Sequence, residues 1–148
     1  FLLSSIANAD ISGTALIVDG DTITISGNKI RLNGIDTPEQ NQTCSRAGIS
    51  WRCGYEATET LRRWTYTKEV RCIGDTKDRY GRLIANCFVD GYNVNARLVY
   101  EGLALAYRKY SKQYVPEEDK ARAAKRGMWA GEFVAPWDWR KGKRLTSE

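Results

Sequence analysis

Five charged side chains carry the strongest hint of chemistry: Asp21, Arg31, Asp36, Glu39 and Arg82. Four of them sit at turn signals, in Asp19-Gly20-Asp21, Asp36-Thr37-Pro38-Glu39 and Asp78-Arg79-Tyr80-Gly81-Arg82; Arg31 lies in an alternating stretch between the first two. The chain holds no histidine. That excludes Ser-His and Cys-His nucleophile pairs and removes the commonest general base and zinc ligand. Acid–base work falls to carboxylates, Lys, Tyr or Cys, and a metal held by carboxylates would be a hard cation. A cation and two guanidiniums suit a phosphodiester, because this anion repels a nucleophile until positive charge offsets its own. Arg in particular matches phosphate through paired hydrogen bonds. A plainer reading stands beside this one, with Asp21 and Asp36 capping turns and Arg31 pairing with a neighbouring acid.

The elements that must position these groups are legible as hydrophobic patterns. Residues 14–18, 22–25 and 29–32 read as strands, separated by Asp19-Gly20-Asp21 and Ser26-Gly27-Asn28. Ile30 and Arg31 then point to opposite faces. Pro38 stops any continuing central strand. Residues 40–53 are rich in Asn, Gln, Ser and Gly and read as a loop. Apolar spacing predicts a helix over 55–66 and a short one over 94–100 ending near Gly102. Strands are expected over 70–73 and 83–89. Pro116-Glu117-Glu118 opens a third helix through 126, with Gly127 after it and Trp129 expected to plug the core behind it. Five strands with interspersed and trailing helices suggest an OB-type barrel.

The four cysteines, Cys44, Cys53, Cys72 and Cys87, form no C-x-x-C pair, so a zinc ribbon is disfavoured against two disulfides. Cys72 and Cys87 lie symmetrically about the Arg79-Tyr80 midpoint, so a hairpin there sets them face to face. Cys44 and Cys53 would then close a short loop and stiffen it.

With 148 residues, the chain fits one domain with one core. Its net charge of +5 suits a polyanionic partner. Residues 1–9 end in Ala7-Asn8-Ala9 after an apolar run, which reads as the remnant of a signal peptide or as a frayed N-terminus. Export to a secreted or periplasmic destination follows from the first reading and agrees with disulfides. No stretch reaches the ~20 apolar residues of a membrane span. The tail 136–148 mixes tryptophans with a basic run. It reads either as a tryptophan clamp plus a solvated charge run, or as a nucleic-acid grip.

Taken jointly, the motifs resemble the staphylococcal nuclease (thermonuclease) family. The matching blocks are Val18-Asp19-Gly20-Asp21-Thr22, Ile30-Arg31-Leu32, Gly34-Ile35-Asp36-Thr37-Pro38-Glu39 and Asp78-Arg79-Tyr80-Gly81-Arg82. Asn95-Ala96-x-Leu98-Val99-x-x-Gly102-Leu103-Ala104 and Gly127-Met128-Trp129 follow in the same order. The likeness runs from about residue 14 to 129. It implies an α+β, mainly β protein: a five-stranded OB-fold barrel with three helices, spanning 10–135. It also implies a monomeric, calcium-dependent nuclease acting on DNA or RNA with one Ca2+ per active site. Carried over, Asp21, Asp36 and the Thr37 carbonyl hold the metal, and Glu39 orients or deprotonates the attacking water. Arg31 and Arg82 grip the phosphate. Arg79 and Tyr80 match phosphate-contacting positions, Tyr107 flanks the nucleotide pocket, and Tyr110 is a candidate second tyrosine there. The cysteines and the Trp-rich tail depart from the staphylococcal enzyme. Two rivals remain: a catalytically inactive OB module that binds nucleic acid or protein, and a disulfide-stapled interaction protein.

Overall fold

The computed structural model describes residues 9–146. The suspected signal remnant therefore lies outside the described residues except for Ala9, which opens the first strand. In chain order the elements are β1 (Ala9–Asp19), β2 (Thr22–Ile25), β3 (Asn28–Leu32), β4 (Ile35–Asp36), β5 (Cys44–Arg46) and β6 (Ile49–Trp51). They continue with α1 (Cys53–Thr65), β7 (Glu69–Lys77), β8 (Leu83–Val89), β9 (Tyr92–Asn93), α2 (Val94–Tyr100) and β10 (Leu105–Ala106). The chain closes with α3 (Val115–Ala123), a 3-10 turn (Gly127–Ala130) and α4 (Pro136–Arg140).

Strands β3, β2, β1, β7 and β8 pair antiparallel in that order, and a parallel β3–β8 pairing closes the ring. The result is the five-stranded mixed barrel that the sequence patterns implied. Alternation explains it: inward-facing Ile23, Ile25, Ile30, Leu32, Val70, Leu83, Ala85 and Val89 are buried together with Leu61, Val94 and Leu98 from the helices. Burying each large aliphatic side chain contributes roughly 1.5–3 kcal/mol, so the barrel interior is the main stabilising element. Asn95 fastens α2 to the barrel. It is fully buried, accepts from the Cys87 N–H and donates to the Ala85 and Asn33 carbonyls.

The hairpin geometry sets Cys72 opposite Cys87, and the two are bonded. Cys44 and Cys53 form the second disulfide. Three expectations need correction. Residues 40–53 are not all loop: β5 and β6 form a small hairpin, with Cys44 opposite Trp51 and Ser45 bridged to Glu132. Its tertiary partners and the disulfide define it, not an alternating pattern. The third helix stops at Ala123 rather than 126, because Lys125 turns to a φ of 53° and breaks the hydrogen-bond ladder. Behind it, Met128 is the buried plug. Trp129 is only partly covered and meets Phe133 edge-on.

A second, smaller core joins Cys44, Cys53, Leu105 and Met128, with Trp51, Trp129, Phe133 and Trp137 packed around it. This cluster seats α4, a fourth helix absent from the sequence reading, against the body. In the tail, Trp137 packs on this cluster, while Lys141 and Lys143 stay exposed.

Candidate active site

Asp21 sits in the β1–β2 turn, where the pairing register slips between Ile17 and Asp19. This turn packs tightly on the segment after β4. A Cβ at Gly20 would lie 2.7 Å from the Thr37 hydroxyl, so only glycine permits the approach. The Asp21 carboxylate accepts the Thr37 N–H at 3.0 Å, tying the two acidic turns together. Arg31 stands opposite Thr22 in β3, and its Nη2 lies 3.4 Å from Asp21 and 3.8 Å from Asp36. Its other terminal nitrogen donates to the Leu32 carbonyl at 3.0 Å. Arg31 thus bridges both aspartates. The pairing foreseen by the plainer reading is present, but at loose distances.

Asp36 pairs with Leu105 across the short β4–β10 ladder and is almost wholly buried, at 1 % exposure. Glu39 follows in a turn fixed by Gln42. This fully buried amide accepts the Glu39 N–H at 3.1 Å and donates to the Val134 carbonyl at 2.8 Å. Helix α1 starts directly against that turn. A Cβ at Gly54 would lie 1.6 Å from the Glu39 carbonyl oxygen, and the neighbouring Cys53 is bridged to Cys44. The backbone that carries Glu39 is therefore held from several sides.

Arg82 ends the β7–β8 turn. Asp78 organises this turn by accepting the Tyr80 and Arg82 N–H groups at 2.9 and 3.0 Å, and the Arg82 Nε at 2.7 Å. Between them, Arg79 donates to the Tyr80 hydroxyl at 2.6 Å. Tyr107 and Tyr110 stack with ring centroids 4.9 Å apart, and Trp137 of α4 meets Tyr107 edge-on.

These elements converge. One open cleft of about 810 Å³ is lined by Asp21, Arg31, Asp36, Glu39, Arg79, Tyr80, Arg82, Tyr107 and Tyr110. Thr37 is buried beneath Asp21 and does not line it.

One cleft residue escaped the sequence reading. Arg140, at the end of α4, donates Nη1 to Asp36 at 3.0 Å and to Glu39 at 2.7 Å, and Nη2 to Asp36 at 2.6 Å. In sequence it looked like one member of a basic run, and its partners lie 104 and 101 positions away. No local pattern marks it.

The electrostatics follow from burial. Removal from water pushes Asp36 up to about 6, although Arg140 and Arg31 pull the other way. Burial, and then the neighbouring Asp21, raise Asp19 to about 7. For Asp21 itself burial acts upward too, but Arg31 and the Thr37 N–H outweigh it and hold the carboxyl below its ordinary value. Burial thus works against charge on these carboxylates, and the guanidiniums of Arg31 and Arg140 work for it.

The residues fit a hard divalent ion. The donors are oxygens only, two of the carboxylates are buried, and a guanidinium already chelates Asp36 and Glu39 where such an ion's charge is needed. Among the described residues no three Asp, Glu, His or Cys side chains converge as a ready-made metal cluster.

Comparison with known proteins agrees with this architecture. The model of the family described as staphylococcal nuclease homologue matches residues 29–131. The chain belongs to that family and carries its nuclease domain. It is 36% identical over 80% of its length to the succinoglycan biosynthesis protein ExoI of Rhizobium meliloti, and spans 64% of that protein. It is 34% identical to an uncharacterized endonuclease of Haemophilus influenzae, over 88% of this chain and 72% of the other. It is also 32% identical to a micrococcal nuclease of Shigella flexneri, over 97% of this chain and 88% of the other.

Proposed function

We propose that the chain is an exported, calcium-dependent nuclease that hydrolyses phosphodiester bonds of DNA or RNA in this cleft. The reading rests chiefly on one observation. Asp21, Arg31, Asp36, Glu39 and Arg82, up to sixty-one positions apart in sequence, line a single cavity large enough for a cation and a phosphoryl group.

Asp21, Asp36 and the Thr37 carbonyl are the groups that would hold calcium. When bound, calcium supplies positive charge to the phosphate and leaves coordination positions for water and substrate oxygens. Glu39 is the base. Its carboxylate orients a water and takes its proton as the oxygen attacks phosphorus, the role left to a carboxylate when no histidine exists. The P–O bond to the leaving sugar oxygen breaks, and that oxygen takes a proton from solvent water. Arg31 and Arg82 bind the non-bridging oxygens and offset the charge that grows in the transition state. Arg79 and Tyr80 contact the phosphate from the rim. Tyr107, backed by Tyr110, gives the nucleotide an aromatic wall, which tolerates any base because every base has a π-face. Export is supported by the two disulfides, which persist in oxidising compartments. No helix among the described residues is long and apolar enough to cross a membrane.

Digestion of single-stranded DNA with and without calcium tests the proposal. Cutting should rise with added calcium and stop on chelation. Cutting that persists under chelation would remove the metal from the account. Binding without any cutting would favour a non-catalytic nucleic-acid module.

A further inference from the structure

Arg140 stands outside the residues that match the family model, yet it makes the shortest polar contacts to the acidic cluster. Its guanidinium engages both oxygens of Asp36 and one of Glu39. Arg31 approaches the same Asp36 only to 3.8 Å. The helix that delivers Arg140 is seated independently, through Trp137 on the second core and on Tyr107. Arg140 is therefore placed by packing rather than drawn in from a loose tail, and its own side chain remains 39 % exposed.

Placing this charge there has two effects. It pairs both oxygens of Asp36, a carboxylate with 1 % exposure. It also occupies the oxygens that a cation must take. Coulomb's law gives both effects one sign for metal binding: with Arg140 present, an incoming divalent ion meets a less negative pocket and a blocked ligand.

We propose that Arg140 is a positioning residue that doubles as the resident cation of the carboxylate cluster. It holds Asp36 and Glu39 assembled in the metal-free protein and yields Asp36 when calcium binds. This rests on the calcium reading above. Arg140 then sets how much calcium the site needs, and α4 reports through Trp137 to the nucleotide wall at Tyr107. On release from Asp36, the guanidinium keeps Glu39 within reach and so holds the base in place.

Calorimetric titration of CaCl2 into the wild-type protein, Arg140→Gln and Arg140→Lys tests this, alongside thermal unfolding without metal. Arg140→Gln should bind calcium about tenfold or more tightly, since both charge repulsion and competition are relieved. Its metal-free Tm should fall, because Asp36 loses its closest partner. Arg140→Lys keeps the charge without the fork, so its affinity should lie between the two. It also preserves the test if the glutamine variant does not fold. Equal or weaker calcium binding by the variants, with normal binding by the wild type, overturns the proposal and spares the calcium reading. No calcium binding by any of the three overturns both.

Discussion

Asp78 bonds to Arg82 three ways: its N–H donates to the Arg82 carbonyl at 2.9 Å, and its carboxylate accepts the Arg82 N–H at 3.0 Å and Nε at 2.7 Å. The same carboxylate also accepts the Tyr80 N–H at 2.9 Å, so the aspartate builds the rim turn on which Arg79, Tyr80 and Arg82 stand. A rim carboxylate thereby fixes where two arginines stand at the edge of the cleft.

Removing the arginines should separate chemistry from folding. Arg31→Ala and Arg82→Ala are each expected to lower turnover on single-stranded DNA by roughly 10²–10³, the usual loss when one charge-stabilising donor is deleted. Both proteins should retain the wild-type circular dichroism spectrum. If Arg82→Ala digests DNA at the wild-type rate, Arg82 is a turn residue only.

Asp78 makes the turn sensitive to acid. Burial pushes this carboxyl upward, but the bonds from Arg82 and Tyr80 win and hold it below its ordinary 3.8. A depressed value means that its contribution to stability is full above 3.8 and fades as pH falls through the folded value. Asp78→Asn should therefore melt lower than wild type at neutral pH, with the two Tm curves converging in strong acid. A constant gap at every pH would show that the charge is irrelevant.

Glu39 provides a sharper test of roles. Glu39→Gln keeps shape and hydrogen bonding but cannot take a proton, so turnover should collapse while calcium affinity stays within a few-fold. Loss of calcium binding together with activity would instead make Glu39 a ligand.

The loop disulfide should matter for stability first. Cys44 and Cys53 close a loop with a sequence separation of 9. Opening it by a double Cys→Ala exchange should cost about 2 to 3 kcal/mol on the chain-entropy account, read from chemical denaturation. Because α1 begins at Cys53 against the Glu39 turn, kcat should fall as well. Unchanged kcat would mean that Gln42 alone secures Glu39.

The barrel was legible because period-two patterns and glycine turns are local: Ile30 is buried and Arg31 faces the cleft, as alternation requires. The Cys72–Cys87 pairing followed from simple symmetry about the turn. What escaped has non-local causes. The β5–β6 hairpin lacks alternation and depends on Glu132 and a disulfide. Met128, not Trp129, is the plug: the methionine is 1 % exposed while the indole packs only partly buried at the edge of the second core. Arg140 meets Asp36 across 104 positions of sequence, and nothing near residue 140 encodes that meeting.

A calcium ion and a phosphate are expected to share this cleft. Anomalous diffraction from crystals soaked with calcium and a mononucleotide tests it most directly. A calcium peak bounded by Asp21, Asp36 and the Thr37 carbonyl is expected, with the phosphate against Arg31 and Arg82. Calcium bound elsewhere, with Arg140 still on Asp36 and the phosphate outside the cleft, would contradict it.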